Sequence, residues 1–137
     1  MMRPTFLRSL AALLLAAAVA VGAAGCTATS EDTATGLDAA AFGERVSTDG
    51  VVTIDVRTPA EYAEGHLPDA LNIDVESGDF AQQIDGLDRD VPYALYCRSG
   101  NRSAQALAQM QAAGFTDVAH LLGGIGAWQA AGGTVVR

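Results

Sequence analysis

The chain has 137 residues, which fits one folded domain, because a single hydrophobic core usually serves about 100 to 200 residues. Its formal net charge is −8, with sixteen acidic residues against eight arginines and no lysine, and this excludes the basic surface that nucleic-acid binding needs. Two cysteines are too few for a disulfide scaffold or a structural zinc site, and we predict neither a metal nor a cofactor.

Residues 1–25 have the pattern of a secretory signal peptide. Arg3 and Arg8 precede sixteen residues, from Leu10 to Gly25, that carry no charge and no polar side chain. This run is shorter than the roughly 20 apolar residues of a membrane-spanning helix, so a signal peptide is favoured over an uncleaved anchor. Its removal takes away two arginines and no acids, and the net charge then becomes −10.

The apolar run ends in Ala23-Ala24-Gly25-Cys26, which resembles the lipid-attachment motif of bacterial lipoproteins. The resemblance implies that Cys26 carries lipid and that the protein is extracytoplasmic and anchored to the bacterial cell membrane. Cleavage upstream, after Ala20, is the alternative and would release a secreted soluble protein. Residues 26–36 are predicted to be a lipidated N-terminus and flexible tether, because they lack large apolar side chains to bury. The folded domain is predicted over residues 37–137.

Strands and helices alternate along this domain. Asp38 is the predicted N-cap of a first helix, and Thr58-Pro59-Ala60-Glu61 is a capping box that starts a second. Apolar runs bounded by turn residues predict strands at 51–54, 70–73, 92–96 and 118–122. Further helices are predicted at 77–84, 103–113 and 125–131, the second of these with a core face of Ala104, Leu107, Ala108 and Met110. The alternation predicts an α/β fold whose parallel sheet has helices on both faces.

Cys97 directly follows the third predicted strand and precedes a helix, at the sheet edge where ligands of such folds bind. The positive end of the helix dipole and the nearby Arg98 and Arg102 are expected to lower the pKa of this thiol. Gly100 permits a tight turn in which several backbone N–H groups converge on one anion. We therefore predict that Cys97 is a catalytic nucleophile; exposed thiols of low pKa are also susceptible to oxidation.

The domain resembles the single-domain rhodaneses, which are sulfurtransferases. Matching stretches occur in order at 54–57, 61–62, 65–73, 97–102 and 123–128 with 131–133, although Asp69 stands where the family more often has glycine. The resemblance implies a five-stranded parallel sheet. It also implies that Cys97 takes sulfane sulfur from thiosulfate or another thio-donor, holds it as a persulfide and passes it to a thiol or cyanide acceptor.

By the same resemblance, a loop of five residues cradles the persulfide: Arg98, Ser99, Gly100, Asn101 and Arg102. Arg98 is expected to bind the sulfonate end of thiosulfate, and Arg102 to fix the loop. Four residues separate Cys97 from Arg102, whereas related phosphatases and arsenate reductases have five, which disfavours phosphatase chemistry.

Asp55, Arg57 and His66 are predicted to support the loops rather than to react, since a thiolate that is already formed needs no general base. His120 is predicted to be a core or edge residue of its strand, and Trp128 is predicted to lie in the core in preference to the site wall. A second function stays open, in which the domain carries a persulfide to one dedicated partner without efficient turnover. A thiol redox sensor is disfavoured, because the domain lacks a resolving cysteine.

Overall fold

The computed structural model describes residues 36–137, so the predicted signal peptide, Cys26 and nearly all of the predicted tether lie outside the described residues. Ten elements follow one another in this part of the chain: β1 (Gly36–Leu37), α1 (Ala39–Val46), β2 (Val52–Asp55), α2 (Pro59–Glu64), β3 (Leu71–Asn72), α3 (Phe80–Asp85), β4 (Tyr93–Tyr96), α4 (Asn101–Ala112), β5 (Val118–Leu121) and α5 (Gly124–Ala130). None of these helices is long and apolar enough to cross a membrane.

The five strands form one parallel sheet in the order β1-β5-β4-β2-β3. β4 is central, with Tyr93 opposite Val52 of β2 on one side and Val118 of β5 on the other. Because the strands are parallel, their carboxyl ends meet at one edge, and the chain leaves β4 there at Cys97. This confirms the predicted α/β sheet and puts Cys97 in the middle of its carboxyl edge.

Helices cover both faces of the sheet, and β4 contributes to a core on each. Leu95 lies in the cluster that contains Ile84 of α3 and Met110 of α4. Tyr96 points to the other face, in the cluster with Phe42 of α1 and with α5. The alternation along β4 places Cys97 in the cluster with α3 and α4, so its sulfur faces α4.

Both predicted helix N-caps, Asp38 and Thr58, are confirmed. Asp38 accepts a hydrogen bond from the backbone N–H of Ala41 at 2.8 Å, which caps α1. Thr58 and Glu61 form the complete capping box at α2, with Thr58 Oγ1 accepting from the Glu61 N–H and Glu61 Oε2 accepting from the Thr58 N–H. These contacts matter to the site because Glu61 is held in a fixed position near the carboxyl edge.

The structure differs from the sequence-based predictions at β1. This two-residue strand begins at Gly36, inside the predicted tether, and pairs with His120 and Leu121 of β5. Two residues are too few to show an alternating pattern, so only the pairing with β5 reveals the strand. It completes the five strands that the family resemblance implies.

The buried face of α4 also differs. Leu107 and Met110 are buried as predicted, but Ala104 and Ala108 are exposed. The positions that pack inward with them are Ser103 and Ala106. The spacing 103, 106, 107, 110 is that of one helical face. The sequence does not identify this face clearly, because alanine is compatible with both the buried and the exposed side of a helix.

Candidate active site

The loop after β4 folds around the sulfur of Cys97. The backbone N–H of Gly100 donates to Cys97 Sγ at 3.0 Å, and Ser103 Oγ lies 3.6 Å from the same sulfur. Gly100 has a φ of 102°, a left-handed conformation that glycine adopts without strain. The turn at Gly100 thus brings the first residues of α4 onto the sulfur.

Cys97 is fully buried in this arrangement. The predicted susceptibility to oxidation applies to exposed thiols, so burial protects this one. Burial by itself raises the pKa of the Cys97 thiol, because a charge loses its hydration there. Hydrogen bonds from the Ser103 hydroxyl and from the backbone N–H groups of Ser103, Ser99 and Gly100 oppose that effect, and the net pKa is lowered. The pKa of the Cys97 thiol is therefore lowered by hydrogen bonds rather than by the arginine charges expected from the sequence.

Arg102 is occupied by carboxylates instead. Its guanidinium forms a two-pronged ion pair with Glu61, with both N–O distances at 2.8 Å, and a third contact with Glu76 at 3.2 Å. The hydrogen bond from Arg102 is the main reason that the pKa of Glu61 falls to about 2. The pair ties the first turn of α4 to the first turn of α2, which is the placement expected of a residue that fixes the loop.

Arg98 has a different environment. Its side chain is exposed, and within residues 36–137 it makes no hydrogen bond or ion pair. Ser99 and Asn101 are also exposed, so the outer surface of the loop is polar and open to solvent. An exposed guanidinium on the residue that follows Cys97 is suited to binding a small anion.

Asp55 and Arg57 meet in a buried network behind the loop. Asp55 is fully buried and accepts from Arg57 Nη2 at 2.6 Å and from the Tyr96 hydroxyl at 2.7 Å. Arg57 Nη2 also donates to the Gly65 carbonyl, and the Tyr96 hydroxyl accepts from the Leu67 N–H. The network joins the ends of β2 and β4 to the chain after α2, which suits the supporting role predicted for Asp55 and Arg57. Tyr96 is a member that the sequence alone did not reveal.

His66 lies just after the end of α2 rather than on the Cys97 loop. Its ring stacks on Tyr62 with a centroid separation of 3.7 Å, and Nδ1 lies 3.0 Å from the Tyr62 carbonyl oxygen. Its backbone pairs with Val136. These contacts fasten the chain after α2 to the last residues of the sequence, and none of them reaches Cys97.

Two further polar residues were missed as site residues: Ser103 lies against the sulfur, and His120 lies behind Ser103. Ser103 is fully buried, and its Oγ is 3.1 Å from the Gly100 carbonyl oxygen and 2.9 Å from His120 Nδ1. His120, predicted as a core or edge residue, is therefore connected to Cys97 through one hydroxyl. The signal that could have found Ser103 is a polar residue on the otherwise apolar face of α4, since such groups are hydrogen-bonded when buried.

The start of α5 closes the loop from the other side. The Ile125 N–H donates to the Cys97 carbonyl at 2.8 Å. Gly124 has a φ of 62°, and a Cβ atom there would lie 2.3 Å from the Arg98 carbonyl carbon. Only glycine permits this approach, so α5 and the loop are packed backbone to backbone.

A polar cavity of about 480 Å³ adjoins this contact, with Arg57, Glu61, Gly65, Ile125, Gln129 and Arg137 in its wall. It is large enough for a small anion or thiol. Within residues 36–137, no three histidine, cysteine, aspartate or glutamate side chains are grouped as metal ligands.

Comparisons with known proteins find relatives of the described domain. A family model described as a rhodanese-like domain matches residues 38–131, which include the whole Cys97 loop. A sulfurtransferase of Allochromatium vinosum is 41% identical over 93 residues, covering 67% of this chain and 85% of the relative. The thiosulfate sulfurtransferase GlpE of Pseudomonas syringae is 36% identical over 81 residues, covering 58% of this chain and 74% of the relative. The crystal structure of a rhodanese-related protein from Thermoplasma volcanium matches with a TM-score of 0.66 at 31% identity, over 74% of this chain and 96% of that one.

Proposed function

The chain belongs to the rhodanese-like domain family, and from that premise we propose that it transfers sulfane sulfur through a persulfide on Cys97. Its sulfurtransferase relatives support a transferase. The observation that carries the proposal is the convergence of the Gly100 N–H and the Ser103 hydroxyl on the Cys97 sulfur, which lowers the pKa of the thiol. Donors that are fixed before reaction stabilise an anionic sulfur without further reorganisation.

The first step is attack by the Cys97 thiolate on the outer sulfur of thiosulfate. A bond forms between Sγ and that sulfur, the bond to the sulfonate group breaks, and its electron pair leaves with sulfite. The negative charge then lies on the terminal sulfur of the persulfide. Arg98 is the residue proposed to hold the sulfonate end, because its guanidinium is exposed and unengaged within the described residues. The relative named as a thiosulfate sulfurtransferase supports this choice of donor.

The second step returns the enzyme to its thiolate. Cyanide or a thiolate attacks the terminal sulfur, the new bond to the acceptor forms, and the bond to Sγ breaks with its electron pair remaining on Cys97. With cyanide the product is thiocyanate. Neither step with cyanide transfers a proton, which agrees with the proposed roles of Asp55, Arg57 and His66 as supports rather than acids or bases.

The test is turnover of thiosulfate and cyanide by the full chain and its Cys97→Ser variant. The variant should form no thiocyanate, and intact-mass measurement after thiosulfate treatment should show one added sulfur only where Cys97 is present. Cys26→Ser is the matched control and should retain turnover. Thiocyanate formation by the Cys97→Ser variant would contradict the proposal.

A second candidate, a carrier that delivers sulfur to a dedicated partner, is favoured by the complete burial of Cys97. A free donor must reach a sulfur that the loop covers, whereas a docked partner could open the loop. The two functions separate in a single-turnover experiment on the persulfidated chain. An enzyme releases its sulfur rapidly to free cyanide, and a carrier retains the added mass.

We also propose that Cys26 carries lipid and holds the domain on the outer side of the cell membrane. Support comes from the residues Ala23 to Cys26 and the apolar run before them. Two or more acyl chains would give stable anchoring. Metabolic labelling with a fatty acid should mark the unaltered chain and not its Cys26→Ser variant, while labelling of that variant or a secreted, unlabelled native chain would contradict the proposal.

A further inference from the structure

The Ser103 hydroxyl carries one proton and has three neighbours that could accept it. Cys97 Sγ lies at 3.6 Å, the Gly100 carbonyl oxygen at 3.1 Å and His120 Nδ1 at 2.9 Å. The Gly100 carbonyl already accepts from the Ala104 N–H at 3.1 Å, so it does not depend on Ser103. The competition is therefore between the sulfur and the imidazole.

The position of the ring proton on His120 decides this competition. If Nδ1 is bare, its lone pair takes the Ser103 proton, and the sulfur loses a donor. If Nδ1 carries the proton, it donates to Ser103 Oγ, and the hydroxyl proton is free to point at the sulfur. A thiolate and a bare Nδ1 would compete for the single Ser103 proton, so either the imidazole nitrogen lacks a donor or the thiolate keeps only its backbone N–H donors, and both outcomes are costly.

We propose that His120 is a positioning residue whose Nδ1–H directs the hydroxyl proton of Ser103 toward the Cys97 sulfur. His120 is on β5 and Ser103 on α4, and both face the same side of the sheet as Cys97. The inference rests on the proposed function, because it concerns the same sulfur. It assigns to a buried histidine the task of keeping one proton available to a thiolate or a persulfide.

The surroundings of the ring are consistent with a neutral imidazole. Burial lowers the pKa of His120, and no carboxylate or guanidinium among residues 36–137 forms an ion pair with it. The elements that flank it present Gly36 from β1, Leu95 from β4 and, from α4, the Ser103 hydroxyl with Cys97 beyond it. A neutral ring has only one proton, so its placement on Nδ1 or Nε2 is a real choice.

The test uses variants that keep roughly the size of the side chain but change its hydrogen-bonding groups. His120→Asn places an amide nitrogen the same number of bonds from the backbone as Nδ1, and it can donate to Ser103. His120→Leu fills the space without a donor. Ser103→Ala removes the hydroxyl through which His120 is proposed to act. Each is made in the full chain with Cys26→Ser, so that Cys97 is the sole thiol, and the thiol pKa is read from the ultraviolet absorbance of the thiolate.

Ser103→Ala should raise the thiol pKa by about one to two units, since a hydrogen bond to a charged group is lost. His120→Leu should raise it by about half a unit to one unit, and His120→Asn should restore most of that change. In the Ser103→Ala background, His120→Leu should add nothing further, because the coupling passes through the hydroxyl. Equal shifts for the Asn and Leu variants, or full additivity with Ser103→Ala, would refute the proposal.

A measurement on the unsubstituted His120 covers the case in which a variant does not fold. The nitrogen shifts of the ring distinguish the two neutral forms, and the chain has only two histidines to assign. At a pH where Cys97 is a thiolate, the proton should be on Nδ1, whereas a proton on Nε2 would overturn the inference. These readouts require no turnover. Failure of the sulfur-transfer assay can therefore be distinguished from absence of the coupling between His120 and Cys97.

Discussion

Tyr96→Phe tests the buried network that holds the carboxyl edge of the sheet. The Tyr96 hydroxyl donates to Asp55 Oδ2 at 2.7 Å and accepts from the Leu67 N–H at 3.0 Å, and all three residues are buried. Phenylalanine keeps the ring in the core but removes both bonds. The carboxylate then lacks one donor, and the Leu67 N–H is left without an acceptor in an interior closed to water.

The two losses can be estimated separately. A hydrogen bond to a charged group contributes about 1.5–3 kcal/mol, and an unsatisfied buried N–H costs about 1–3 kcal/mol. Their sum predicts that Tyr96→Phe lowers the free energy of unfolding by about 2.5–6 kcal/mol. This is a large fraction of the total for a domain of this size, for which about 5–15 kcal/mol is usual.

Tyr93→Phe is the matched control on the same strand. Tyr93 is also a core residue, but its hydroxyl is only partly buried and makes one hydrogen bond, to the Asp88 carbonyl at 2.7 Å. The loss of that neutral bond should cost about 0.5–1.5 kcal/mol. Urea unfolding of the full chain, followed by circular dichroism, measures both variants. If the two variants differ by less than about 1 kcal/mol, the Tyr96 hydroxyl is not the junction that its contacts indicate.

Two other predictions concern the loop and its ion pair. Gly124→Ala should reduce thiocyanate formation by about tenfold or more, because the added Cβ displaces the backbone at Arg98, while Gly126→Ala, which meets open space, should leave it unchanged. Equal activities would contradict this packing. The pKa of Glu61 is about 2 against an ordinary 4.5, so its ion pair stabilises the fold above pH 4.5 and this contribution disappears as the pH falls through 2. The free energy of unfolding, measured as a function of pH, should therefore decrease less in acid for Glu61→Gln than for the native chain or for Glu64→Gln. Parallel pH curves for the Glu61 and Glu64 variants would refute this role of the ion pair.

Local features of the fold could be predicted from the sequence. The caps at Asp38 and Thr58 depend on residues three positions apart, and both are present. The position of Cys97 could be inferred because an apolar strand ends there and a glycine turn follows. Each of these signals lies within a few consecutive residues, where propensity and hydrogen bonding act together.

Contacts between distant residues could not be predicted in this way. Arg102 pairs with Glu61 and Glu76, which are 41 and 26 positions away. Because the sequence does not show these distant partners, the charge of Arg102 was expected to act on the Cys97 thiol. Ser103 and His120 are 17 positions apart on different elements. Their contact depends on the register of β5 and on which face of the alanine-rich helix α4 packs inward. Neither can be predicted from a short stretch of sequence.

The central position of β4 has a consequence for thermal fluctuations. The border strands β1 and β3 contain two residues each, whereas β4 is paired along both sides. Short border strands open locally at low free energy, while a strand paired on both sides exchanges its amide protons mainly through global unfolding. The Cys97 sulfur, which we propose as the nucleophile, follows this doubly paired strand. The margins of the domain can therefore fray and re-form many times while the Cys97 sulfur keeps its position in the sheet.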